Sequence, residues 1–298
     1  MNRDRVAGPP PSLSFVGAGR AASALAVAAR SAGYEITAIT SRTRHRAEAL
    51  ATMVGARAVP TPLAAVRLAE ITVVAVPDGA IPGVAATVAA CGAALDGRSL
   101  VHTAARLGPE ALAAARLTGA AVGVLHPLQA LTGSRGAALI AGSYFRVEAE
   151  GQLRQRLETL VAAMGGQLIA VSADARAAYH AAAVLAGNAP LTLLAAAERI
   201  LQDAGVEQRT AHAALTALLL GAATNALSAS PEAALTGPIA RGDAAAVRAH
   251  LEALQSDPGA RDLYISLAAE TARLAGRDAA ALGIQAPAPR QPLVRRVA

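Results

Sequence analysis

Apolar positions along the first half of the chain follow two rhythms. Short runs rich in Val, Ile and Leu lie at 13–16, 36–40, 71–76, 99–102, 121–125 and 144–147. Stretches of Ala, Leu and Arg with helical spacing separate the first few. Strand alternating with helix predicts a parallel sheet with helices on both faces.

Past residue 150 the rhythm changes. Residues 152–164 predict a helix stopped by Gly165-Gly166, and 167–171 a short strand. Almost everything beyond reads as helix. Asp174 is placed to cap a segment reaching about residue 204, which Pro190 should break or kink. A second helix covers 207–227, 231–243 reads as a loop, and two more helices follow before a Pro-rich tail. No internal repeat is visible. The predicted organisation is a frayed tail at 1–12, a sheet domain at 13–150, an all-α domain at 151–285 and a disordered tail at 286–298.

Composition narrows the function. The chain has 298 residues, 54% hydrophobic and 16% charged, so it is a folded globular protein. Aromatics are only 2%, so Ala, Leu and Val must build the core. All 27 basic residues are Arg, which excludes any lysine chemistry. The net charge of +6 does not fall in a stripe, and almost no aromatics are available to stack bases, so no nucleic-acid partner is expected. A single cysteine, Cys91, excludes an internal disulfide framework and suggests the cytoplasm. The N-terminus does not read as a signal peptide. The apolar stretches 181–197 and 211–227 are Ala-rich and carry polar residues, which favours buried helices over membrane spans. No histidine or cysteine spacing suggests a metal site.

The sharpest motif follows the first predicted strand. Gly17-Ala18-Gly19-Arg20-Ala21-Ala22 is G-x-G-x-x-A opening a helix. In that place the first glycine allows a tight turn, the second lets backbone approach a diphosphate, and the small third residue lets helix and strand pack closely. Free N–H groups at the helix start favour phosphate. The expected fold is therefore α/β, with an N-terminal Rossmann doubly wound parallel sheet. After the second strand, where an NAD site would carry an acid, the chain has Ser41, Arg42, Arg44 and Arg46. Arginines suit a 2′-phosphate, so the cofactor expected is NADP(H). Val76-Pro77-Asp78 ends another strand at the ligand edge. Asp78 either caps the next helix or lies beside the cofactor.

These stretches, with 101–103, 125–129, 179–188 and "LTGPIARGD" at 235–243, resemble a family of bacterial proteins. Its members join a Rossmann-like NADP-binding domain to a helical domain of unknown function similar to the C-terminal domain of 6-phosphogluconate dehydrogenase. Ketopantoate reductase, pyrroline-5-carboxylate reductase and deazaflavin-dependent NADP reductase are relatives. The family tends to have His-x-Ser-Gly where this chain has His102-Thr103-Ala104-Ala105. Wider relatives use a lysine four residues before an asparagine. Here Asn188 is present but Val184 stands in the lysine's place.

The candidate chemistry lies with histidines. His180 precedes Asn188 by two helical turns, so the two can share a face. His126 and Gln129 flank Pro127 after an apolar strand. Either His126 or His180 is a candidate proton donor, with Asn188 orienting the substrate. Gln129, Thr236 and Arg241 are candidates for binding substrate, Arg241 through a carboxylate. Gly17, Ala18, Gly19, Arg20, Ala21, Ser41, Arg42, Arg44, Val76, Pro77, Asp78 and His102 are candidates for the cofactor. The reading is an NADPH-dependent oxidoreductase that reduces a small 2-oxo acid, ketopantoate-like, or an imino acid. An NADP(H)-binding sensor or scaffold without turnover is the alternative. The greasy helical domain predicts a homodimer built on it.

Overall fold

The computed structural model describes residues 9–92 and 94–285. Of the two predicted tails, residues 1–8 and 286–298 lie outside the described residues. The chain divides into two compact units, 1–188 and 189–298.

The first unit is built on one eight-stranded sheet in the order β3-β2-β1-β4-β5-β6-β7-β8. Its elements run β1 (Leu13–Val16), α1 (Arg20–Ser31), β2 (Ile36–Thr40), α2 (Arg44–Val54), β3 (Arg57–Ala58), α3 (Pro62–Arg67), β4 (Ile71–Val74), α4 (Ile81–Ala89), β5 (Ser99–His102), α5 (Ala113–Arg116), β6 (Ala121–Leu128), β7 (Tyr144–Glu148), α6 (Gly151–Ala163), β8 (Gln167–Leu168) and α7 (Arg176–Gly187). All pairs are parallel except β6 with β7, which run antiparallel. The wholly parallel sheet expected from the alternating pattern is therefore corrected at one seam. The unit boundary also falls later than the predicted break at 150. β8 pairs with β7, and Leu153, Leu157 and Leu160 of α6 join the sheet's core.

Two apolar layers cover the sheet. Phe15, Leu25, Ile39, Val73, Val101 and Leu125 belong to one, and Val16, Val66, Val74, Ile81 and Leu100 to the other. Each fully buried Val, Ile, Leu or Phe contributes about 1.5–3 kcal/mol. Helix α1 buries Ala22, Ala24, Leu25, Ala26, Ala28 and Ala29, about half of its circumference. It packs between the sheet and the two-turn 3₁₀ segment Ser134–Leu139, which explains the small residues after Arg20. Inside the sheet, the buried hydroxyls of Ser14 and Thr72 satisfy each other at 2.9 Å.

The second unit is helical: α8 (Ala189–Asp203), α9 (Gln208–Asn225), α10 (Pro231–Ala234), α11 (Pro238–Arg241), α12 (Ala244–Ala253) and α13 (Pro258–Leu274). The predicted loop at 231–243 contains two single turns, α10 and α11. Each opens on a proline at its first position, where the missing N–H costs nothing. Asp243 caps α12, accepting from the Ala246 N–H at 3.0 Å. The predicted Asp174 cap is not seen: α7 starts after Ala175, with no side-chain cap. Val247, Ile265, Ala268 and Ala272 form a small core with Leu282 and Ile284.

Helices α8 and α9 depart from the burial expected of them. Only Ala196 of α8 and Ala211 of α9 are buried. Leu191, Leu218, Leu220 and Leu227 are 63–87% exposed. The helical run Arg176–Asp203 is long and apolar enough to cross a membrane, by length and composition alone.

Candidate active site

The parallel strands end together. Val16 of β1 lies level with Thr40 of β2 and Val74 of β4. Val74 lies level with His102 of β5, and His102 with Val124 of β6. The chain leaves β1 and β4 toward opposite sides of the sheet, the switch point where a crevice forms. Two cavities of about 400 and 370 Å³ open there and share Gly19, Ala75, Val76 and Pro77.

The two motif glycines do different work. Gly17 has φ +111°, and a Cβ there would collide with the Ala75 carbonyl oxygen. Its N–H donates to the Thr40 carbonyl at 2.8 Å, and the Ala75 N–H donates to Val16 at 2.8 Å. Gly17 is thus required by the fold. Gly19, in extended conformation before α1, would meet nothing within 4 Å if it carried a Cβ. The space over Gly19 belongs to the cavity. No side chain caps α1, and no acid lies in its first turn, so the helix start is left to an anion. This cradle fits a dinucleotide's diphosphate.

The larger cavity continues past Gly17 and Ala18 to Ser41, Arg42 and Arg46. Arg44 lies outside its lining, and its Nε donates to Glu48 at 2.8 Å one helical turn on. Of the three expected guanidinium groups, Arg42 and Arg46 line the cavity, because α2 turns Arg44 away. Ser41 Oγ accepts from the Thr43 N–H at 3.3 Å. Pro77 lines both cavities; Asp78, which begins a single-turn helix, lines neither and gives α4 no side-chain cap.

The smaller cavity carries Arg20, Ala21, Thr103, His126, Pro127 and Gln129. His126 Nδ1 lies 2.8 Å from the Thr103 carbonyl oxygen. Burial lowers the ring's pKa to about 4, and Arg146 and His180 push the same way. The ring is therefore neutral near pH 7. A carbonyl only accepts, so Nδ1 carries the proton and Nε2 keeps its lone pair. Nε2 has no protein partner and is not a buried atom, which leaves it open on the cavity side. In this state His126 presents an acceptor to the cavity.

His102 is fully buried. Its Nδ1 accepts from the Ala104 N–H at 3.2 Å, so Nε2–H donates to the Gly108 carbonyl at 2.9 Å. Both nitrogens hold the turn, and neither is left for a cofactor. His180 and Asn188, on and just after α7, are exposed. Thr236 and Arg241 lie in the second unit, Arg241 exposed at the end of α11.

Sequence reasoning missed a buried cluster. Arg146 stands directly opposite His126 across the β6–β7 pair. Its side chain is 1% exposed. Nη2 donates to the carbonyls of Ala104, Ala105 and Leu107 at 3.2, 3.2 and 2.7 Å. Nη1 donates to Glu148 at 2.5 Å, and Glu148 also pairs with Arg176. Arg176 reaches Glu110 at 3.0 Å, whose carboxylate accepts from the Gly108 N–H. The Tyr179 ring meets the His126 ring edge-on, centroids 5.6 Å apart. Its hydroxyl is buried without a partner, and burial raises its pKa to about 12. The available signal was an arginine in the middle of the apolar run 144–147.

Residues 12–106 match a family model described as NADP oxidoreductase coenzyme F420-dependent. Residues 143–271 match a model described as a domain of unknown function, DUF2520. No curated protein matches the sequence. Among solved structures it is similar to BF3122 of Bacteroides fragilis, provisionally named an NADP oxidoreductase, at 22% identity and TM-score 0.71, covering 89% of this chain and 99% of that one. TM1727 of Thermotoga maritima is 25% identical, with TM-score 0.68 and coverage of 89% and 98%. An imine reductase from a Pseudomonas species is 18% identical, with TM-score 0.62 and coverage of 92% and 98%. The fold is thus that of NADP oxidoreductases and imine reductases.

Proposed function

We propose that the chain is an NADPH-dependent oxidoreductase that reduces a small 2-oxo acid or imino acid. The observation that carries this reading is the division of labour between Gly17 and Gly19. The fold requires the first, while the second opens cavity space at an uncapped helix start. The family model over 12–106 and the imine reductase likeness support it.

The α1 start and Gly19 would hold the diphosphate, and Arg42 with Arg46 the 2′-phosphate. NADPH, when bound, supplies the hydride. Thr103, His126 and Gln129 would then border the reacting end, and the His126 lone pair orients an N–H or O–H of the substrate. His180 is the remaining candidate for delivering the proton, with Asn188 orienting. Arg241 and Thr236 would hold the substrate, Arg241 through a carboxylate. We further assign the exposed leucine face of α8 and α9 to a homodimer, since burying such surface stabilises association.

Calorimetry with each nucleotide should show NADPH binding much more tightly than NADH. A panel of 2-oxo and imino acids, followed by NADPH absorbance, should then show turnover. Tight binding without turnover across the panel would leave a nucleotide-binding sensor. No heat from either nucleotide would end both readings.

A further inference from the structure

We propose that Arg146 is the positioning residue that makes His126 a hydrogen-bond acceptor. Arg146 lines neither cavity. The inference rests on the site described above and not on the identity of its substrate.

Three observations converge. First, Arg146 and His126 are directly opposed in an antiparallel pair, so their side chains share one face of the sheet. Second, a single guanidinium nitrogen, Nη2, draws in three carbonyls of the segment 104–107. That segment follows at once on Thr103, whose own carbonyl receives the His126 Nδ1–H. Fixing 104–107 therefore fixes the acceptor that selects the tautomer. Third, Glu148 holds the other end of the guanidinium and links it to Arg176 and Glu110, which is bonded back to Gly108 in the same turn. The loop is clamped from both ends. A buried arginine is costly unless it is fully paired, and this one leaves its Nε unpartnered. A structure that keeps such a group in a sheet has a use for its charge and its fork.

The charges around His126 agree. Arg146 on β7 and His180 on α7 disfavour a second proton on the ring, while Asp78 after β4 favours one. Tyr179 packs edge-on and stays protonated. Arg20 lies on the wall of the same cavity.

Side-chain ¹⁵N NMR of the full chain without nucleotide tests this, so the result does not depend on the oxidoreductase reading. In the unsubstituted protein His126 should be a single Nδ1–H tautomer that stays neutral below pH 5. Arg146→Met should raise its titration midpoint by roughly one unit, as expected when a nearby like charge is removed. Arg146→Lys keeps the charge but loses the fork. It should leave the midpoint nearly in place and mix the two tautomers. An Nε2–H tautomer in the unsubstituted protein overturns the proposal. So does a folded Met or Lys variant in which His126 behaves as before. If the Met variant does not fold, the Lys variant decides alone.

Discussion

The sheet of the first unit and helices α8 and α9 of the second are both rich in apolar residues, yet they use them differently. β1, β4 and β5 bury every position. Helix α8, with 15 residues, buries one. In the sheet the chain supplies its own cover, with helices packed on two faces. In α8 and α9 the described residues supply little. An apolar run in an Ala-rich helix therefore does not by itself report burial within the protomer.

The largest expected effect tests that difference. Replacing Leu218 and Leu220, 70% and 63% exposed, by Glu should convert a homodimer to monomers in sedimentation velocity, with the sheet unit still folded. A wild-type protein already monomeric at micromolar concentration would break the comparison, and partition into vesicles would point to lipid as the cover.

Gly17→Ala comes next and acts inside the sheet unit. Its φ of +111° and the clash with the Ala75 carbonyl should cost on the order of 3 kcal/mol in urea unfolding. Gly19→Ala should change stability by less than about 0.5 kcal/mol, because its Cβ meets nothing, yet weaken nucleotide binding at least tenfold. Equal stability losses at the two glycines would erase the distinction on which the proposed function stands.

The same contrast explains what could be read in the sequence. β1, β2 and β5 coincide with their apolar runs because local alternation alone defines them. The direction of β7 was not legible, since its antiparallel pairing with β6 is a long-range choice. The unit boundary at 188 was missed for the same reason: β8 belongs to the sheet only through β7. The glycine motif was readable because its chemistry is local. Arg146 was not, because a lone arginine in a strand has no meaning until His126 stands opposite it.

A smaller effect follows from His126. Its folded pKa of about 4 lies below the ordinary value of 6.5, so between these values the unfolded chain binds more protons than the folded one. Stability should therefore be full above about pH 6.5 and fall as the pH drops to 4, by up to about 3 kcal/mol if this group acts alone. Burial lowers the pKa of His102 as well and acts in the same direction. Urea midpoints that stay level from pH 7 to 4.5 would mean that neither ring is as buried as the sheet places it.

The smallest effect separates three neighbouring arginines. Arg42 and Arg46 line the larger cavity, while Arg44, 92% exposed in its side chain, is paired with Glu48. Charge-assisted bonds to a phosphate are worth roughly 1.5–3 kcal/mol each. Arg42→Ala and Arg46→Ala should therefore each weaken NADPH by about ten- to a hundredfold by calorimetry and leave NADH almost unchanged. Arg44→Ala should leave both nucleotides and the urea midpoint nearly unchanged, because an exposed helical ion pair contributes little. If Arg44→Ala instead discriminated between the nucleotides, α2 would have to present a different face to the cavity. The 2′-phosphate would then be gripped by a residue that the sequence offers but the cavity lining leaves out.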